Sequence, residues 1–147
     1  AIQAYLRRSG RDVERMCDAG IPVRLCKGAY LEPAAAAFQA KSEVDRNYVH
    51  LMKVLLERGA YPALATHDEK IIAEAKRFAR DKQIAPDAFE FQMLYGIRRD
   101  LERQFAAEGY RLRLYVPYGQ AWYPYFMRRL AERPANLLFL LRHLARG

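Results

Sequence analysis

Val23-Arg24-Leu25-Cys26-Lys27-Gly28-Ala29-Tyr30 reads as a strand that ends in a glycine and carries two cations, Arg24 and Lys27. An alternating V-R-L-C-K pattern cannot hide both of its faces in an apolar core. A cation inside a sheet is costly unless something anionic or polar meets it. A strand that brings Arg and Lys to its C-terminal end, then breaks at Gly-Ala, is placed to meet a ligand there. The competing reading is a surface strand with two solvated charges, and the octet alone does not decide between them.

On either side of the octet the chain alternates between strand and helix patterns. Ile2 to Leu6 reads as a short strand containing the polar Gln3. Ser9 is expected to cap a helix running to Ala19 with Val13, Met16 and Cys17 on its apolar stripe. Gly20 ends it and Pro22 leads into the octet. Ala34 to Ala37 follows as a turn or short helix. Ser42 is then expected to cap a long helix whose apolar positions are Val44, Tyr48, Leu51, Met52, Leu55 and Leu56. Tyr61 to His67 is the third strand. Asp68 caps the helix Glu69 to Lys82, with Ile71, Ile72, Ala75, Phe78 and Ala79 inward. Phe89 to Leu94 is the fourth strand, Arg98 to Ala107 a helix with Leu101 and Phe105 inward, and Arg111 to Val116 the fifth strand. Helices are expected at Ala121 to Arg133 and Leu137 to Leu144, separated by Pro134.

Strand followed by helix, five times over, is the signature of a parallel α/β architecture with right-handed crossovers. No G-x-G-x-x-G loop is present, which argues against a dinucleotide-binding doubly wound sheet. Polar groups instead gather at strand ends: Lys27-Gly28-Ala29, Thr66-His67-Asp68, Gln92 with Tyr95, and Tyr115. That distribution favours a (β/α)8 barrel of the TIM type. Five strands do not close one, since about eight are needed.

The 147 residues suffice for one domain with a core, and 52% hydrophobic with 29% charged residues is the balance of a folded protein. The net charge of +8 is spread over helical stretches in short runs such as Arg7-Arg8, Arg98-Arg99 and Arg128-Arg129. No nucleic-acid motif accompanies it, so a solvated basic surface is the expectation, with some charge left to attract an anionic cofactor or lipid headgroups. Cys17 and Cys26 have no metal-ligand spacing and are expected as buried free thiols in a reducing compartment. No metal site is expected, and no apolar run is long enough to span a bilayer.

Several groups carry two readings. Lys27 is either a desolvated Schiff-base lysine or the partner of Glu32 or Asp68. Thr66 and His67 either bind a phosphate at a helix start or serve a turn capped by Asp68. Arg128 and Arg129 follow the aromatic run Trp122-Tyr123-Pro124-Tyr125-Phe126, and Glu132 stands four residues after Arg128. The pair suits a small amphipathic carboxylate, or is an ordinary basic helix face.

R-L-C-K-G-A-Y at 24–30, A-T-H-D at 65–68, E-F-Q-M-L-Y-G at 90–96 and Y-V-P-Y-G-Q-A-W-Y-P-Y-F-M-R-R-L-A-E-R-P-A-N at 115–136 resemble the proline dehydrogenase family in order and spacing. Q-A-Y-L at 3–6 fits as well, so the resemblance covers essentially the whole chain. It implies an FAD enzyme on a distorted (β/α)8 barrel. That enzyme oxidises L-proline to Δ1-pyrroline-5-carboxylate, on the way to glutamate, and passes the electrons to a membrane quinone. It implies that Arg24 is catalytic, beside the reactive flavin nitrogen. Gln3, Lys27, Gly28, Ala29, Thr66 and His67 would contact FAD, with Gln92 a further candidate. Arg128 and Arg129 would clamp the proline carboxylate, Glu132 would orient Arg128, and Leu25, Tyr30 and Tyr115 would line the substrate pocket. Residues 1–147 would then be a partial barrel domain, strands 4 to 8 with the closing helix. A family lysine and aspartate from earlier strands would be missing, and the isolated chain, with unpaired strand edges, would be inactive. The expected setting is cytoplasmic with peripheral contact at the inner membrane, or mitochondrial in a eukaryote. The alternatives are a Schiff-base aldolase-type barrel using Lys27 and a basic, non-enzymatic binding module.

Overall fold

The computed structural model describes residues 1–28, 32–116 and 118–119. Ala29, Tyr30, Arg128, Arg129, Glu132 and the two helices expected after residue 120 lie outside the described residues. Within them, strands and helices alternate: β1 (Ile2–Gln3), α1 (Ser9–Asp18), β2 (Val23–Cys26), α2 (Lys41–Arg58), β3 (Pro62–Ala65), α3 (Glu69–Asp81), β4 (Glu90–Leu94), α4 (Arg99–Ala107) and β5 (Arg111–Tyr115).

All five strands are parallel and lie in chain order, β1-β2-β3-β4-β5. A doubly wound sheet reverses its order at a switch point, whereas this one is wound in a single direction. Crossovers of one hand that always step the same way put every helix on the same face. The packing agrees. Leu25, Leu64, Phe91 and Leu112 share one register across β2 to β5. They belong to, or pack against, a core that contains Val13 of α1, Tyr48, Leu51, Met52 and Leu55 of α2, Ile71, Ile72 and Ala75 of α3, and Leu101 and Phe105 of α4. Phe91 stacks on Phe105 with ring centroids 4.4 Å apart, a contact worth about 0.5–1.5 kcal/mol beyond its buried area. The expected apolar stripes are the ones buried, apart from Met16, Cys17, Val44 and Phe78, which are half-buried.

The ends of elements differ from the sequence expectation for identifiable reasons. β1 is only two residues long, although Ala4 N–H and Tyr5 N–H still donate to Cys26 O and Lys27 O, at 2.8 and 2.9 Å. The chain then turns, and Leu6 bridges to Ala37, so residues 34–37 form a turn and bridge and not a helix. Ser9 does not cap α1. Arg8 occupies the cap position, and the Ser9 hydroxyl donates to Leu6 O while Asn47 donates to it from α2. Ser42 lies inside α2, where Glu43 accepts from Ala40 N–H. Asp68 does cap α3, accepting from Lys70 N–H at 3.1 Å. Cys17 and Cys26 are free but only half-buried. Among the described residues no helix is long and apolar enough to cross a membrane.

Gly28 ends β2's run with φ +106°, in the region L side chains rarely adopt. A Cβ there would stand 2.1 Å from the Tyr5 ring. Gly28→Ala therefore adds backbone strain to a clash with a buried ring. The expected loss is about 2–4 kcal/mol, read as a lower urea midpoint. A midpoint equal to the parent's would mean that the Tyr5 ring and the turn move aside freely.

Candidate active site

The second face of the sheet carries the chemistry. In a parallel ladder, residues in register share a face, and alternate residues of one strand do too. Arg24 is in register with Ala63 and Glu90, and Glu90 with Arg111. One layer toward the C-terminal ends, Gln3, Cys26, Ala65, Gln92 and Arg113 form the next row. Tyr115 follows Arg113 on β5. This face is polar where the helix-covered face is apolar, and its small residues, Ala63 and Ala65, sit between the polar ones.

Arg24 Nε donates to Gln92 Oε1 at 2.7 Å, and its guanidinium lies over the Tyr115 ring, 4.9 Å from the centroid. Gln92 Nε2 in turn donates to Glu90 Oε1. Glu90 is 5% exposed and takes a two-pronged hold from Arg113, Nε to Oε1 at 2.7 Å and Nη2 to Oε2 at 3.1 Å, with Tyr61 OH 3.4 Å from Oε2. Burial works against the Glu90 carboxylate, but the hydrogen bonds from Arg113 and Gln92 outweigh it and hold the group below the usual carboxylate range. Arg24 is different. Among the described residues it makes no ion pair; a neutral amide and an aromatic face are its partners. A half-buried cation in that state fits an anionic or electron-rich planar group laid against the same face.

At the strand ends, several expected ligand residues are engaged within the chain. Lys27 is 6% exposed and donates to Asp45 of α2 and, at 2.7 Å, to Asp68 at the start of α3. Asp68 divides its oxygens, Oδ1 capping the helix and Oδ2 on Lys27. Asp45 divides its own between Lys27 and Lys41. Of the two partners expected for Lys27, Asp68 is present, and Asp45 of α2 stands where Glu32 was expected. An ammonium between two anions is a poor nucleophile, which weighs against a Schiff base on Lys27. Thr66 is buried, and its hydroxyl accepts from Asp68 N–H at 3.1 Å. His67 Nε2 accepts from Leu94 N–H at 2.9 Å, so that nitrogen carries no proton, and the ring ties the end of β3 to β4. Gly28 owes its lack of a side chain to Tyr5 as well as to any group above it.

Glu90, Arg113 and Asp45 are the members that sequence reasoning missed. E-F-Q at 90–92 and R-L-R at 111–113 each put two polar groups on one strand face, which is a legible signal. Asp45 offers none beyond standing four residues after Lys41 on a helix. Among the described residues no cluster of His, Cys, Asp and Glu is arranged to hold a metal ion. Much of the basic surface is paired internally, as in Arg8–Asp12, Arg58–Asp18, Lys76–Glu108 and Arg98 with Glu69 and Asp100.

The family model for proline dehydrogenase matches residues 1–142. A proline dehydrogenase of Deinococcus radiodurans is 52% identical over 146 residues, 99% of this chain and 47% of that protein. Proline dehydrogenase 1 of Bacillus subtilis strain 168 is 52% identical over 141 residues, 96% of this chain and 47% of that protein. The chain thus spans about half the length of these curated relatives. Among solved structures, proline utilization A (PutA) from Bdellovibrio bacteriovorus, inactivated by N-propargylglycine, superposes with a TM-score of 0.79 at 36% identity. That match covers 88% of this chain and 16% of the other. A Bradyrhizobium japonicum PutA mutant gives 0.74 at 28% identity, covering 88% and 15%.

The Lys27 cluster predicts an acid dependence. Burial opposes the Asp45 and Asp68 carboxylates, but their bonds to Lys27 prevail and leave both pKa values lowered. A lowered folded value means that the unfolded chain takes up protons first as pH falls. The stabilisation is therefore whole above about pH 4, the unfolded carboxylate range, and is lost as pH drops through the lowered folded values. Urea midpoints measured between about pH 6 and pH 3 are expected to be flat, then to fall. Lys27→Met is expected to be less stable at neutral pH and to show a shallower acid slope; an unchanged slope would remove Lys27 as its origin.

Proposed function

The chain belongs to the proline dehydrogenase family, and from that premise we propose that it forms one wall of an FAD site at which L-proline is oxidised to Δ1-pyrroline-5-carboxylate. Single-direction winding supports a further reading of the sheet as five consecutive units of a (β/α)8 barrel, strands 4 to 8 in the family order, with the polar face turned inward. The observation that carries the proposal is Arg24: a half-buried cation on that face, held by Gln92 and Tyr115 and by no carboxylate among the described residues.

When bound, FAD supplies the acceptor for two electrons. Proline gives up a hydride from the ring carbon beside its nitrogen and a proton from the nitrogen itself, forming the C=N bond. A quinone takes up the two electrons and two protons afterwards. The residues of this chain bind and orient. Arg24 would stabilise the negative charge that a bound flavin takes on when reduced. Gln3, Lys27, Gly28, Thr66 and His67, at the ends of β1, β2 and β3, would form the cofactor rim, with Ala29 as a further contact implied by the family, while Lys27's ion pairs keep that rim in shape. Arg128 and Arg129 would grip the substrate carboxylate, Glu132 would steady Arg128, and Tyr30 and Tyr115 would shape the pocket, whereas Leu25, expected there from the resemblance, is buried in the core on the helix-covered face. Fixing both partners in contact is the main catalytic contribution, since orientation replaces a chance encounter. A membrane quinone as acceptor would call for peripheral contact with a membrane, and the proposed setting is the cytoplasmic side of it.

The test is an absorbance scan of purified protein carrying this chain within a complete barrel, followed by L-proline without oxygen. A flavin spectrum bleached by proline is expected. Arg24→Met is expected to keep the flavin and slow the bleaching by at least about tenfold. Arg128→Met/Arg129→Met is expected to raise KM for proline by about 10- to 100-fold with flavin content unchanged. Protein without flavin, or flavin indifferent to proline, overturns the proposal.

A further inference from the structure

The amide of Gln92 has one orientation open to it. An ionised carboxylate only accepts hydrogen bonds and a guanidinium only donates them. Standing between Glu90 and Arg24, Gln92 must turn its NH2 to the first and its oxygen to the second, and it does: Nε2 donates to Glu90 Oε1, and Oε1 accepts from Arg24 Nε at 2.7 Å. The charges follow from the same arrangement. Glu90's negative charge is taken up by Arg113 through two bonds, while Arg24 meets only an uncharged oxygen. With the two β4 side chains exchanged, amide at 90 and carboxylate at 92, the same atoms would be present but Arg24 would be neutralised.

We infer that Glu90 and Gln92 are positioning residues: their order along β4 directs the carboxylate to Arg113 and a neutral oxygen to Arg24, so that Arg24 is held in place without losing its charge to a partner. The inference rests on the FAD reading above and says why that cation can serve it. Neither residue need touch the cofactor. Glu90 acts through Gln92, and Gln92 through Arg24. Arg113 is the counter-ion that lets a carboxylate 5% exposed sit on this face at all.

The test is the exchange variant Glu90→Gln/Gln92→Glu in flavin-loaded protein. It keeps composition and net charge and moves only the carboxylate. The readouts are thermal midpoint, flavin content, the flavin's reduction midpoint potential and the rate of its reduction by proline. Flavin is expected to stay bound. The potential is expected to fall, because a neutralised Arg24 no longer favours the reduced state. Reduction is expected to slow by about 10- to 100-fold with KM for proline unchanged, the range typical of partners that orient a functional group. Gln92→Met leaves the Glu90–Arg113 pair intact and removes the hold on Arg24; it is expected to slow reduction too, with a smaller fall in potential. A purely structural role would lower the thermal midpoint and leave potential and rate at parent values in both variants, and that result overturns the inference. Parent protein that lacks flavin, or whose flavin ignores proline, refutes the FAD reading instead. Parent protein that bleaches normally beside variants that match it refutes the positioning role alone.

Discussion

Leu25, Leu64, Phe91 and Leu112 stand side by side across four strands and are held against one layer of helices. Because strand side chains alternate, satisfying that face leaves the positions between them, Arg24, Ala63, Glu90, Gln92 and Arg113, with no helix to meet. Parallel strands in chain order permit nothing else: one direction of winding gives one covered face. Charges on the other face must find partners within it. They do so by a chain of single contacts, Arg113 to Glu90, Glu90 to Gln92, Gln92 to Arg24, and Arg24 over Tyr115. Two cations and one anion make up that chain, so one positive charge is left over, and the connectivity sets it at the Arg24 end.

The rim above this face is built by a different device. Lys27 joins the end of β2 to α2 through Asp45 and to the cap of α3 through Asp68. Thr66 fixes the β3–α3 turn and His67 links β3 to β4. Each of these side chains is of a type that also binds ligands, and each is already committed at one atom. Commitment and ligand contact are compatible where capacity remains: the Thr66 hydroxyl accepts from Asp68 N–H and still has a proton to donate. For the Lys27 ammonium the balance differs. Two carboxylates meet its charge, so its contribution lies in where it holds the backbone of residues 27 and 28.

The fold was legible in the sequence wherever periodicity carries it. Helix stripes such as Tyr48-Leu51-Met52-Leu55 and the strand-helix alternation depend on local spacing, and they stand in the structure as expected. Arg24 was legible too, because a cation at an alternating strand position needs an explanation whatever surrounds it. Its partners were not. Glu90 and Gln92 lie 66 and 68 positions away in the chain, and Arg113 lies 23 beyond Glu90. Only the registers of β2 to β3 to β4 to β5 bring them together. Helix caps failed for a local reason. Ser9 and Ser42 have the right side chain for a cap, but α1 begins at Ser9 itself and α2 one residue before Ser42. Ser9's hydroxyl is engaged by Leu6 and by Asn47, a residue of another helix.

The choice of arginine over lysine at position 24 follows from the same geometry. The guanidinium is flat, so its face can rest on Tyr115 while one edge donates to Gln92. Its remaining N–H groups lie in that same plane, so the one bond to Gln92 fixes the directions of them all. A lysine would offer one ammonium with no plane to stack and no fixed direction for its donors. Anchoring it equally well would call for a carboxylate, the group that would cancel its charge. A cation that must be both immobile and unneutralised is therefore best made from arginine, an amide oxygen and an aromatic ring, and those are the three groups that β2, β4 and β5 bring together.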